Sequence, residues 1–468
     1  MTKSTKLFFI LLLCFTLFDR GTLYSQKVEN FSINGNWSGE ISVGANIEMI
    51  FKVWGVFTIE ASLDVPIQGA KNIPVSVEDR IDKVKFMVKS INGMFEGTKI
   101  DSITIDGYWK QNGGSYPMRL KKNQTTKAIA DRPQTPKPPF PYKVEEVLVQ
   151  GPVGKLGGTL TIPEGKGPFP AIVLATGSGQ QDRDETIFNH KPFWVIADAF
   201  TKAGYAVLRM DDRGVGASEG NPEFSTTKDF ADDCYAGVKY LQNRSDIQKK
   251  NIGLLGHSEG ATIGQIVASA HPKEIACLIS MAGPAISGYD ILVSQTRVIS
   301  SKQMLPEMSL RAVNQQKTIL SMIMHSKDSV LLQKQLTDSL GAWAVEQQKV
   351  FIANTPEFKA QLKQLQSPWL KYFLQYQPTE YLQKIKCPIL AINGSEDIQV
   401  IADENLPVFE TMIARTKNKK SVVKKYEGLN HLFQQCNTCG VEEYMTIQKT
   451  IEDDVLKYMI SWMQSLKK

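Results

Sequence analysis

Gly256-His257-Ser258-Glu259-Gly260 stands between an apolar, strand-like run (Asn251 to Leu255) and a helical stretch (Ala261 to Ala270). A serine between two glycines, at the point where a strand turns sharply into a helix, sits in a strained backbone conformation that presents its hydroxyl at the strand's carboxyl end. The glycines are required because side chains at 256 and 260 would collide with neighbouring elements. The same five letters in an ordinary turn would mean nothing; the strand before and the helix after make Ser258 a candidate nucleophile.

Working outward, the surrounding sequence has the alternation that such a turn needs. Val144–Val149 and Gly158–Ile162 read as opening strands, and Pro170-Ala-Ile-Val-Leu-Ala-Thr176 as a strand buried on both faces, because its apolar run is continuous. A helix from about Phe193 to Lys202 stops at Gly204, and Tyr205–Met210 is the next strand. Phe230, Cys234, Val238 and Leu241 mark one face of a further helix. After Asn251–Leu255 come the strands Ala276–Met281, Pro388–Asn393 and Val422–Tyr426. Eight strands alternating with helices predict an α/β fold with a mostly parallel eight-stranded sheet covered on both sides. Between about 286 and 386 no buried strand occurs, and Gln, Met, Leu and Lys recur at helical spacing. That length is too great for a bare loop and predicts a helical cap over the sheet's carboxyl end.

A serine hydroxyl needs a base, and the base an orienting acid. The chain has five histidines. His257 adjoins the serine and points away from it, His271 precedes Pro272 at a helix end, His325 falls in the cap, and His190 lies in a loop before the first helix. His431, in Glu427-Gly-Leu-Asn-His-Leu-Phe433, follows the last strand and so reaches the rim where Ser258 sits. The acid is expected at Asp397, just after the strand Pro388–Asn393, with Glu396 and Asp403 as competitors. Developing negative charge needs N–H donors. The amide of Glu259 is one candidate; the other comes from Thr176-Gly-Ser-Gly179, with Ser178 favoured over Gly177 and Gly179. In the cap, Trp369, Tyr372 and Phe373 either shape a substrate pocket, which makes Trp369 and Phe373 candidate substrate-binding residues, or simply pack the cap. Asp211-Asp-Arg-Gly-Val-Gly216 contains a Gly-x-Gly, but it follows the fourth strand and lacks the acidic partner of a dinucleotide loop. It reads as a turn held by Arg213 and an aspartate, and no cofactor is implied.

These motifs together resemble the α/β-hydrolase family, and more narrowly its exported bacterial esterases with a GSGxxDRDE motif after the third strand. The chain carries Gly177-Ser-Gly-Gln-Gln-Asp-Arg-Asp-Glu185, the Asp211–Gly216 turn, the Ser258 pentapeptide, Ser367-Pro-Trp369 in the cap and Gly394-Ser-Glu-Asp-Ile-Gln-Val400. Ala261 stands where a second glycine is usual. The order Ser258, Asp397, His431 is the family's order. The resemblance implies hydrolysis of a small-molecule acyl ester through a Ser-His-Asp triad and an acyl-enzyme, without specifying acid or alcohol. A serine exopeptidase on the same triad is the alternative, as is a glycan- or surface-binding module fused to a hydrolase.

Upstream, residues 27–130 have short alternating segments broken by Gly, Asn and Asp, such as Ile47–Val53, Val84–Val88 and Ile103–Trp109. They predict a small all-β domain, a compact antiparallel sheet or barrel. It holds no histidine, so the chemistry is expected elsewhere. Patterns such as Gly35-Asn-Trp37-Ser-Gly39 and Leu63–Ala70 resemble the β domain that often precedes these esterases. A Pro-rich linker at 131–142, with five prolines between Pro133 and Pro141, separates it from the α/β-hydrolase domain at 143–468. Lys3 and Lys6, the apolar run Leu7–Phe18 and a polar stretch ending in Tyr24-Ser-Gln26 have the parts of a signal peptide, residues 1–25, predicting export to the periplasm or the medium. Twelve residues are too few for a stable membrane anchor. Cys14 suits a lipoprotein poorly, since Leu13 stands where a small residue belongs. Cys234, Cys277 and Cys387 read as small buried hydrophobes. Cys436-Asn-Thr-Cys439 reads as a local disulfide or two free thiols, with no second ligand pair for a metal. A net charge of +6, scattered along the chain, gives no ground for nucleic acid binding. A homo-oligomer is compatible with the sequence.

Overall fold

A computed structural model describes residues 33–42, 46–54, 59–65, 68, 70–80, 82–111, 113–122, 132–346, 356–416 and 418–466. The expected signal peptide lies outside the described residues. The chain divides into two compact units.

The smaller unit is a closed barrel of eight antiparallel strands in sequential order, β1 (Gly35–Ser42) to β8 (Gly114–Lys122), closed by pairing of β1 with β8. Its alternation puts Trp37, Phe51, Phe86, Phe95 and Trp109 inside, all fully buried. The rings of Phe51 and Phe86 stack at 4.7 Å. Closure pairs the strand edges that an open sheet would leave bare. Of the two forms left open by the sequence, the barrel is the one adopted.

The larger unit is built on an eight-stranded sheet: β9 (Tyr142–Gly151), β10 (Gly154–Pro163), β11 (Phe169–Ala175), β12 (Ala206–Met210), β13 (Ile247–His257), β14 (Leu278–Met281), β15 (Ile389–Gly394) and β16 (Val422–Tyr426). Their spatial order is β16-β15-β14-β13-β11-β12-β10-β9. Only β10 runs antiparallel to its neighbours; β12 to β16 are parallel with β11. This is the α/β-hydrolase fold. One face of the sheet packs on α2 (Thr227–Gln242), α3 (Glu259–Ala270) and α10 (Ala402–Thr416) through Val238, Leu241, Ile263, Ile266 and Phe409. The other packs on α1 (Pro192–Lys202) and α11 (Asp453–Ser465) through Phe193, Phe200, Val455 and Met459. Strands buried on both faces need an unbroken apolar run such as that of β11. β13 starts four residues earlier than its apolar run, because its exposed half (Gln248, Lys249, Lys250) carries no buried pattern.

Among the described residues, six helices, α4 (Gly288–Gln303) to α9 (Pro378–Leu382), lie between β14 and β15. The proline-rich segment, expected to be a semi-extended spacer, also makes hydrogen bonds. Arg132 donates to the carbonyl oxygens of Phe188, Tyr444 and Ile447, and Gln134 bonds the backbone of Thr450 and Ile451. That stretch is therefore fastened to the α/β unit.

Candidate active site

Ser258 caps α3 directly after β13, with φ 54° and ψ −121°, a conformation an L-residue adopts only when its surroundings enforce it. The enforcement is steric. A Cβ on Gly256 would lie 2.0 Å from the carbonyl oxygen of Gly260, and one on Gly260 would lie 1.9 Å from that of Ala175. Both glycines are thus fixed by close backbone approach.

β15 and β16 carry the other two expected residues to the same edge. Nδ1 of His431 lies 2.7 Å from Oδ2 of Asp397. The remaining oxygen of Asp397 accepts the amides of Gln399 (2.7 Å) and Val400 (2.9 Å), and its side chain is wholly buried. Three donors on one carboxylate fix its orientation and hence the ring it faces. Of the competitors, Glu396 is at the surface with only a long contact from Ser395, and Asp403 pairs with Lys425 while 80% exposed. Ser258 and His431 line one cavity of about 100 Å³, together with Gly177, Ser178, Glu259, Ile291, Leu292, Trp369 and Phe373.

The loop expected to offer a second amide is held from both sides. Asp212 accepts from the Thr176 hydroxyl (2.7 Å) and the Gln181 amide (2.9 Å). The Gly177 amide is already committed, donating to Oε1 of Glu185 at 2.6 Å. Ser178 lines the cavity beside Ser258, and Gly179 is not among the lining residues. Behind the loop, Asp211 is gripped by the Arg183 guanidinium at 2.6 Å. Burial works against the Asp211 charge, but the Arg183 bonds win and hold its carboxyl below the ordinary range. Arg213 does secure the following turn, through Asp233 at 2.7 Å.

The cap reaches Glu259, the residue after Ser258. From α8 (Pro368–Gln375), the Trp369 indole donates to Oε1 of Glu259 at 2.8 Å, and the Thr227 hydroxyl donates to the same atom at 2.6 Å. Burial raises the Glu259 carboxyl, and those two bonds offset part of the rise. Trp369 also stacks on Phe373, with centroids 5.4 Å apart. Both rings line the cavity; Tyr372 does not, and packs instead beside the core under the cap.

Several contributors escape a reading of the sequence. Gln295 of α4 donates to the carbonyl of Gln399, joining the cap to the loop bearing Asp397. Tyr444 lines the cavity and takes a hydrogen bond from Gln399. His257, next to the serine, does point away: its Nδ1 lies 3.1 Å from Oε1 of Glu185 and its Nε2 3.0 Å from the His431 carbonyl oxygen. Glu185 ends the quoted motif, and that membership was its only signal. The remaining histidines serve elsewhere. His190 is buried between Thr450 and the Tyr444 carbonyl, His271 stacks on Tyr235, and His325 bonds its own helix. Cys436 and Cys439 form a disulfide, and Cys234, Cys277 and Cys387 are buried free thiols.

Residues 154–427 match the model of the X-Pro dipeptidyl-peptidase (S15) family. The chain belongs to that family. It is a serine hydrolase with the α/β-hydrolase fold. Its relatives include esterase EstD of Thermotoga maritima, 24% identical over 463 residues that cover 97% of this chain and 98% of that protein. An uncharacterized 31.7 kDa protein of Escherichia coli is 25% identical over 295 residues, 61% of this chain and 88% of its own. Among solved structures, an esterase of Pyrococcus furiosus aligns with 73% of this chain and 95% of its own, at 18% identity and a TM-score of 0.42.

Proposed function

We propose that this family member hydrolyses carboxylic esters, with Ser258 as nucleophile, His431 as general base and Asp397 as the acid that orients it. One observation carries the reading: His431, held at Nδ1 by a carboxylate that two backbone amides fix in turn, lines the same small cavity as a serine in a strained strand-to-helix turn.

The chemistry follows from those positions. Asp397 on Nδ1 leaves Nε2 of His431 unprotonated and available to take the Ser258 proton as the oxygen attacks the ester carbonyl. The tetrahedral oxyanion accepts hydrogen bonds from the amides of Glu259 and Ser178. The imidazolium, stabilised by Asp397, returns its proton to the departing alcohol and leaves an acyl group on Ser258. Water, deprotonated by His431, then releases the acid and restores the serine. A cavity of about 100 Å³ walled by Ile291, Leu292, Trp369 and Phe373 suits a short acyl chain.

The family's description favours a second reading, cleavage of an amide bond near a free amino terminus. Such a substrate calls for a carboxylate to hold its ammonium group. The two carboxylates lining the cavity are both committed, Glu185 to Gly177 and His257, and Glu259 to Thr227 and Trp369. That supports the ester. Ser258→Ala should lower kcat on p-nitrophenyl acetate or butyrate by ~10³-fold or more while the protein stays folded. Wild-type turnover of an Ala-Pro-p-nitroanilide above that of the esters would reverse the choice of substrate; undiminished ester hydrolysis by the variant would remove Ser258 from the mechanism.

A further inference from the structure

Beside the expected triad lies a second buried pair, Glu185 and His257, which the mechanism above does not use. Glu185 is 5% exposed and His257 6% exposed, and Glu185 adopts a positive φ of 53°. Oε1 of Glu185 receives the Gly177 amide at 2.6 Å and faces Nδ1 of His257 at 3.1 Å. The other ring nitrogen of His257 faces the backbone carbonyl of His431 at 3.0 Å. The dyad therefore joins the loop bearing the oxyanion amide of Ser178 to the loop bearing the general base.

Proton counting defines its state. A carbonyl oxygen only accepts, so Nε2 of His257 must carry a proton. An ionised carboxylate also only accepts, so the contact at Nδ1 needs a second proton between the two partners. A neutral ring and an ionised carboxylate cannot make both bonds. Burial alone would push the imidazole towards its neutral form, but the Glu185 charge and hydrogen bond outweigh it and hold its pKa above the ordinary value. The other titratable groups facing the ring are Asp397 and His431 itself, whose ring centroid is 4.7 Å away.

We propose that Glu185 and His257 form a buried carboxylate–imidazolium pair that positions both the oxyanion loop and His431, making them positioning residues of the hydrolase. The role rests on the assignment of Ser258, Asp397 and His431. A neutral amide at 185 keeps the size of the side chain and can still accept from Gly177, but it removes the charge that keeps the second proton on His257. The ring then gives up one of its two bonds, and the His431 loop is released from the loop that carries Ser178.

The test compares Glu185→Gln with Ser258→Ala on p-nitrophenyl butyrate, with kcat taken per site titrated by a fluorophosphonate for the wild type and Glu185→Gln, and per mole of protein for Ser258→Ala, which has no serine to titrate. For Glu185→Gln the expected result is a fall in kcat of about 10²-fold with KM within about threefold, the signature of transition-state groups out of place rather than of lost binding. A merely structural role would lower the number of titratable sites and leave kcat per site unchanged, which would overturn the proposal. An active Ser258→Ala would overturn the triad, and the positioning role with it. An inactive Ser258→Ala beside a fully active Glu185→Gln would overturn the dyad alone. Independently of any variant's folding, ¹⁵N NMR of histidine-labelled wild-type enzyme at pH 7 should find both ring nitrogens of His257 protonated. An unprotonated Nδ1 would contradict the ion pair.

Discussion

Inside the barrel, Phe51, Phe86, Phe95 and Trp109 are buried against one another, with ring centroids 4.7 to 6.2 Å apart. At the carboxyl rim of the eight-stranded sheet, the buried groups are instead Glu185, His257, Glu259, Asp397 and His431. The first region gains stability from removing apolar surface from water, roughly in proportion to area. The second has to find a hydrogen-bond partner for each polar group it buries, since a buried charge left alone is expensive. The barrel thus depends on keeping its interior filled, whereas the rim depends on particular atoms: a carboxylate oxygen shared by Gly177 and His257, another shared by Thr227 and Trp369. The second region holds polar groups buried and in fixed orientation, as the proposed chemistry requires.

The sharpest way to separate the two is to damage the barrel alone. Phe86→Ala should cost about 3–5 kcal/mol of barrel stability, the cost of a large cavity among aromatic rings. Denaturant unfolding followed by barrel tryptophan fluorescence checks it; a change under about 1 kcal/mol would mean that the interior collapses around the gap and is less specifically packed than its ring contacts indicate.

A smaller effect tests the polar side of the comparison. Burial first, and the Arg132 charge second, push His190 down to about 4. In the unfolded chain a histidine titrates near 6.5. Between about pH 6.5 and 4 the unfolded chain thus takes up the proton more readily, so the stabilisation from neutral His190 is complete above 6.5 and is lost as pH falls through that window. The Tm of the wild type should drop faster over that range than that of His190→Gln. Parallel curves would show that His190 is protonated in the fold, contrary to its place between Thr450 and the Tyr444 carbonyl.

The same contrast explains what the sequence disclosed. Patterns governed by sterics and periodicity were legible. Gly256 and Gly260 announce the strained turn because no side chain fits there, and Val422–Tyr426 reads as a strand with the bounds it has in the structure. The places of Asp397 and His431 after β15 and β16 were legible too, and the structure brings the two side chains within 2.7 Å of each other. Partnerships between distant residues were not. Nothing local says that Glu185 meets His257 across 72 positions, that Glu259 is shared by Thr227 and Trp369, or that Arg132 fastens a proline-rich stretch that composition presents as a spacer. For Cys436 and Cys439, spacing left disulfide and thiols open, since backbone direction decides whether the sulfurs meet.

As the proposed nucleophile, Ser258 carries the acyl group between the two halves of the reaction. Acid-quenching the enzyme during turnover of p-nitrophenyl butyrate, followed by peptide mass spectrometry, tests it directly. A butyryl group is expected on the peptide containing Ser258, located at that serine and absent from Ser258→Ala. Steady product release with Ser258 unmodified, or the acyl group on another residue, would contradict it.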